Sequence, residues 1–329
     1  MWRATVLYPE MPDLDFTPHF RESQEFIYPD WAAINDQIDN SCPTEDTKSE
    51  AWRTVTRKWV SAIRRSLGDP YRTYETENFL FVTADERRIA ADRGRFLESA
   101  KKSILKELDG VAAETPQLVA FLFHDLDTYY TYISEFDSDG ELPQSGGTAI
   151  TTNGYAHFVM PVIDGNLHRN VFVHEMTHIL TAHLDIPIWL NEALSMRMES
   201  ATGTGHGFYM DEELHDRHVA HWNAETIQQF WSGHSWEIPG DSFELSYSLA
   251  TVVFRILEVD VSRSWDELKT FLTQAKRDDA GEQATRAIFD LSLAEVIEAF
   301  LGEGDWAPKP GEWKGLSANT GNRTCQRSG

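Results

Sequence analysis

The sequence predicts an α+β fold, in which a small mixed β-sheet is followed by a mostly helical C-terminal half. Three observations predict it. The runs ENFLFVTA (77–84) and QLVAFLF (117–123) have the length and the aromatic and β-branched content of buried strands. TAITT and YAHFVMPV flank Asn153-Gly154, the dipeptide of a tight hairpin turn. From 168 onward, apolar residues recur at helical spacing with little interruption.

Composition bounds the function. The chain has 329 residues, enough for one large domain or two ordinary ones. Its hydrophobic content of 41%, with 12% aromatics, is that of a chain with a real core. No run approaches the roughly 18 apolar residues of a membrane span. MWRATVLYPEMPDLDF lacks a basic region followed by an apolar one, so no signal peptide is read and a cytoplasmic location is expected. The net charge of −24 argues against nucleic acid as a partner and favours solubility or a cationic substrate. Cys42 and Cys325, one near each end, make neither a disulfide framework nor a cysteine-based zinc site, and they lean towards a reducing compartment.

Residues 1–48 lack periodicity and read as an irregular arm. In EAWRTVTRKWVSAIRRSL (50–67), Trp52, Val55, Trp59, Ile63 and Leu67 recur at helical spacing, and Gly68 and Pro70 end the helix. Its other face carries Arg53, Arg57, Lys58, Arg64 and Arg65, expected to be solvated or to face acidic neighbours. These residues, 1–70, form the first segment. Residues 86–108 read as a long helix with Ile89, Phe96, Leu97, Ala100, Ile104 and Leu108 on one face. A short helix through TYYTYI follows the second strand, and 136–147 reads as a loop. Helices are expected at 168–184, 187–199, 210–231, 243–258, 264–276 and 280–302. The principal domain is thus 71–302, and 303–329 reads as a loose tail rich in Gly, Pro and Trp.

The chemistry centres on VFVHEMTHIL (171–180). Residues four apart in a helix share a face, about 6 Å apart along the axis. His174 and His178 can therefore place both imidazoles on one metal ion, with Glu175 offset towards a water on that ion. A catalytic zinc takes three protein ligands and keeps a fourth position open. His183, Asp185 and Glu192 are the candidates for the third. Glu192 is the best: it lies in IWLNEALS, the start of a second helix after the break at Asp185-Ile186-Pro187, which lets that helix fold back on the first.

HEMTH followed by WLNEALS resembles the gluzincins, the clan of the thermolysin and aminopeptidase N families. The short gap between the motifs is most similar to the compact bacterial group of peptidase-MA-like enzymes. The order of ENFLFVTAD, a long helix, LVAFLFHDLDTYYTYI and a strand pair resembles that group too, as do LSYSLATVVFRILEV and FDLSLAEVIEAFL downstream, so the likeness covers about 76–302. The resemblance implies a zincin-like metallopeptidase domain with one Zn2+ per chain held by His174, His178 and Glu192. It implies Glu175 as general base, Tyr247 as a donor to the oxyanion, and the strand pair at 148–162 as an edge for an extended peptide or protein substrate. Two positions depart from the pattern. Ala193 replaces a glycine, and Met196 stands where thermolysin-like enzymes carry an Asp that supports a ligand histidine. Glu199 or a backbone carbonyl must take over that support.

Plainer readings compete. Glu192 could be a first-turn glutamate favoured by the helix dipole, and Tyr247 a core aromatic. His215, His218 and His221 walk around a helix and read as solvated rather than as a second metal site. Trp189, His157 and His183 read as structural. The alternative function is a catalytically silent gluzincin-like protein that binds zinc or a peptide. A third possibility keeps the metal and cleaves another amide or an ester.

Overall fold

The structure is a computed structural model and describes residues 14–115, 117–136, 146–152, 155–163, 168–205 and 208–313. The Asn153-Gly154 turn, most of the 136–147 loop and the tail beyond 313 lie outside the described residues. The chain divides into two compact units, one of Met1–Ser99, Thr115–His168 and Thr324–Gly329, the other of Ala100–Glu114 and Arg169–Arg323. Among the described residues no helix is long and apolar enough to cross a membrane.

In the first unit, β1 (Phe20–Ser23) and β2 (Phe26–Pro29) form a two-stranded antiparallel sheet. Gln24 and Glu25 turn between them at φ 47° and 72°. Next come α1 (Trp31–Ser41), capped by the Asp30 side chain on Ala33 N–H, and α2 (Glu45–Leu67), opened by a Thr44–Thr47 capping box. Residues 14–48 are therefore ordered, not an irregular arm. Their aromatic residues explain why: Phe16, Phe26, Tyr28 and Trp31 share one buried cluster with Trp59 of α2. The Trp59 indole donates to Ile27 O at 2.7 Å, tying α2 to β2. The basic face of α2 is solvated and paired, Arg57 with Glu75 and Arg64 with Asp69.

The sheet of this unit contains β3 (Arg72–Glu75), β4 (Phe79–Thr83), β5 (Leu118–Phe123), β6 (Thr148–Thr152) and β7 (Tyr155–Pro161), in the order β3-β4-β5-β7-β6. β4, β5 and β7 run parallel and both edge strands are antiparallel, so the sheet is mixed. β4 and β5 are buried at every position, as central parallel strands require. α4 (Leu126–Ile133) follows β5. α3 (Arg87–Glu107) begins in this unit and ends in the other. Its buried stripe keeps Leu97, Ala100, Ile104 and Leu108 as expected but departs at its start, where Ile89 is 44% exposed while Ala90 and Arg93 are buried. Arg93 can occupy this position because the Asp85 carboxylate receives its guanidinium.

Trp31 stacks on Tyr155 at 3.7 Å and Trp59 meets Phe121 edge-on at 5.0 Å, so α1 and α2 cover one face of the sheet. His157 lies in this aromatic layer, its Nε2 2.9 Å from the Tyr132 hydroxyl. Burial lowers its pKa from 6.5 to about 3, so the folded chain holds it neutral. A depressed histidine pKa makes stability greatest above the unfolded value and erodes it as pH falls from about 6.5 towards 3, by about 1 kcal/mol per unit. His157→Gln is expected to narrow the gap between urea midpoints at pH 7 and pH 4. An unchanged gap would assign the acid sensitivity to other groups.

The second unit is helical after the end of α3: α5 (Arg169–Thr181), α6 (Ile188–Ala201), α7 (Glu212–His221), α8 (Thr226–Ser232), α9 (Asp241–Arg255), α10 (Trp265–Gln274), α11 (Glu282–Phe289) and α12 (Leu293–Leu301). Two expected helices are broken by capping chemistry. The 210–231 segment breaks at Asn223, whose Oδ1 accepts from Glu225 N–H and Thr226 N–H. The 280–302 segment breaks at Asp290, with φ 54°, and restarts with a Ser292–Glu295 capping box. A π-helical turn, Ile256–Val261, follows α9. The start of the C-terminal segment is not loose. Trp306 and Trp313 are buried, Trp231 Nε1 donates to Trp306 O at 2.8 Å, and Gln228 Oε1 accepts from Lys309 N–H and Trp313 Nε1.

Candidate metal centre

α5 is buried on nearly every side from Val171 to Thr181, which marks it as a central helix. Its polar residues persist there because each finds a partner. Thr177 and Thr181 return their hydroxyls to the carbonyls of Val173 and Thr177 at 2.8 and 2.7 Å. His178 lies in the last turn of α5. The chain then turns, and Pro187 caps α6, which packs against α5. Trp189, buried at the start of α6, anchors that end through its indole N–H to Ala280 O at 3.0 Å.

This packing brings together the predicted ligands. One donor atom each from His174, His178 and Glu192 lies within 4.8 Å of the others. His174 Nε2 lies 3.2 Å from Glu192 Oε2, and His178 Nε2 lies 3.7 Å from Glu192 Oε1. The other two candidates for the third ligand are elsewhere: His183 is exposed, and so is Asp185, whose side chain faces Arg277 at 3.9 Å.

The remaining ring nitrogens are held from behind. His174 Nδ1 lies 2.9 Å from Glu199 Oε1, so Glu199 is the support that Met196 does not give. His178 Nδ1 lies 3.2 Å from Ser195 Oγ. Glu192, Ser195 and Glu199 follow at helical spacing on one face of α6. That spacing is visible in the sequence, but serine carries no ligand signal of its own, so nothing there points to Ser195. With both Nδ1 atoms occupied, both Nε2 atoms face the Glu192 carboxylate, which is the arrangement of metal-ligating histidines.

The electrostatics agree. Burial alone would lower the pKa of His174, but its hydrogen bonds to Glu192 and Glu199 outweigh this and leave it raised. Burial alone would raise Glu192, but the facing imidazoles of His178 and His174 hold it well below the usual carboxylate range. The donor set fits a divalent ion. His178 Nε2 is buried and has no hydrogen-bond partner among the described residues, as an imidazole waiting on an ion would. Glu199→Gln is expected to weaken zinc binding about tenfold in competition with a fluorescent chelator. Unchanged affinity would reduce Glu199 to a packing role.

Glu175 is fully buried on α5 beside the first ligand. Tyr247 lies buried on α9, its ring 6.1 Å from Trp236 and 5.3 Å from Phe243. One turn on, Thr251 Oγ1 lies 3.2 Å from Met196 Sδ, so this face of α9 is turned to α6. Of the three histidines of α7, His218 departs from the expected solvation, while His215 and His221 are partly exposed. His218 is fully buried, with Nε2 2.9 Å from Ser248 Oγ and Nδ1 accepting from Trp222 Nε1, while His215 and His221 meet Phe300 O and Ser242 Oγ. Both nitrogens of His218 are thus engaged, and the one potential metal-holding group among the described residues is that of His174, His178 and Glu192. A scan against protein-family models finds no match for the chain, and a search of curated proteins finds none.

Proposed function

We propose that this chain is a zinc-dependent peptidase of gluzincin type, which hydrolyses peptide bonds by attack of water. The observation that carries this reading is the convergence of His174, His178 and Glu192, with donor atoms within 4.8 Å and each imidazole fixed through its Nδ1. Two imidazoles and one carboxylate are a donor set suited to zinc. When bound, the ion would polarise the scissile carbonyl and bring the pKa of a water towards neutrality.

The chain's own residues do the rest. Glu175 accepts a proton from the attacking water and delivers it to the departing amine nitrogen, so the C–N bond breaks without expelling an amide anion. Its full burial keeps bulk water from competing for that proton. Tyr247 donates its hydroxyl hydrogen to the carbonyl oxygen as negative charge grows there. The face of α9 turned to α6 supports this placement. A purely structural zinc would want a fourth protein donor and no neighbouring base. The group among the described residues has three donors, and Glu175 adjoins the first of them.

The test is metal analysis of the purified full chain, followed by mass spectrometry of an unfolded protein mixture incubated with it, with and without a chelator. About one zinc per chain and chelator-sensitive new peptides would support the reading. Bound zinc with no cleavage of peptides, small amides or esters would favour the binding protein. Absence of zinc affinity would sink both.

A further inference from the structure

The second unit contains seven tryptophans, and the indole N–H of six is used internally. Trp189, Trp222, Trp231, Trp265, Trp306 and Trp313 donate to Ala280 O, His218 Nδ1, Trp306 O, Glu107 O, Gly302 O and Gln228 Oε1. Trp236 is the exception. Its Nε1 is buried and has no acceptor among the described residues. A buried donor left open forfeits the hydrogen bond it made to water, so such a group in a native chain calls for a partner.

The surroundings say what kind. Trp236 is half-buried, one ring face stacked on Phe230 at 5.4 Å and its edge against Tyr247 at 6.1 Å. Phe243, also half-buried, meets the same tyrosine from its own side at 5.3 Å. The turn that carries Trp236 is set tightly against α6. Gly233, at φ 84°, lies so close that a Cβ there would be 2.3 Å from Ile188 Cδ1. Ile188 is one helical turn before Glu192, on the same face of α6. The open indole therefore belongs to a segment docked beside the proposed third ligand, and it touches the proposed oxyanion donor.

We propose that Trp236 and Phe243 form a specificity subsite that takes an apolar, preferably aromatic, side chain of a peptide, with Trp236 Nε1–H donating to a backbone carbonyl oxygen of that peptide. This deepens the peptidase reading and rests on it for the identity of the site. The ring surfaces supply the apolar contact and the indole N–H fixes the register, the combination that makes tryptophan effective where one end of a ligand is apolar and the other polar.

Binding is measured by calorimetry on full-length Glu175→Gln protein, in which turnover is removed. The probes are the blocked tripeptides acetyl-Ala-Phe-Ala-amide and acetyl-Ala-Gly-Ala-amide. The phenylalanine peptide is expected to bind at least tenfold more tightly than the glycine peptide. Trp236→Phe keeps an aromatic surface, though a smaller one, and removes the donor, and is expected to weaken the phenylalanine peptide about tenfold. Phe243→Ala, a second variant outside the Trp236 position, is expected to erase the preference for phenylalanine. Equal affinity for the two peptides, or affinity indifferent to both substitutions in variants that melt normally, would overturn the subsite. The two readings fail separately. Selective binding that needs Trp236 in a chain that takes up no zinc keeps the subsite and rejects the peptidase, whereas zinc and cleavage with no dependence on Trp236 does the reverse.

Discussion

Glu175→Gln is expected to lower the hydrolytic rate about 10³-fold while the chain keeps its zinc. The amide is close in shape to the carboxylate but cannot take a proton from water. The loss should appear in kcat rather than in KM, because the side chain acts on the water and not on the substrate. Metal analysis of the same sample separates this outcome from damage to the site, since Glu175 is a neighbour of the ligands and not one of the three. Activity within a few-fold of the parent would remove Glu175 from the mechanism and leave the buried carboxylate unexplained.

Glu192→Ala is expected to be as severe for a different reason. It removes the carboxylate that both Nε2 atoms face, 3.2 and 3.7 Å away. Zinc content should fall from about one per chain to near zero, and hydrolysis with it. Breaking a buried ion pair by deleting one partner costs about 3–5 kcal/mol, so the variant should also melt earlier without metal. Added zinc at 1,000 times its Kd would stabilise the parent by about 4 kcal/mol and the variant not at all. If the variant retained zinc, the third ligand would have to be sought outside α6.

Much of this was legible in the sequence, for identifiable reasons. β4 and β5 announce themselves because central parallel strands are apolar at every position. His174, His178 and Glu192 do so because ligand geometry imposes fixed spacing on two consecutive helices. The illegible parts share another origin. The β1–β2 turn uses Gln24 and Glu25 at positive φ instead of the Asn-Gly that signals a hairpin. The stripe on α3 runs through Arg93, which only its partner Asp85 makes tolerable. The helix breaks at Asn223 and Asp290 depend on side chains that outbid the helix locally. The order at Trp306 and Trp313 depends on Gln228 and Trp231, some eighty residues earlier. In each case the deciding partner is remote, or the deciding hydrogen bond is invisible to periodicity.

His174 stands between two carboxylates, Glu199 at 2.9 Å and Glu192 at 3.2 Å. Ionised carboxylates only accept hydrogen bonds, so a ring that satisfies both must donate from both nitrogens and carry a positive charge. The hydrogen bonds from Glu192 and Glu199 raise the pKa of His174 against the opposing effect of burial, which favours that protonated ring. A metal ion at His174 Nε2 would have to displace the proton held there, because a ligating nitrogen must offer its lone pair. Acidity would then compete directly with the metal for the same nitrogen, in the manner of an ion exchanger.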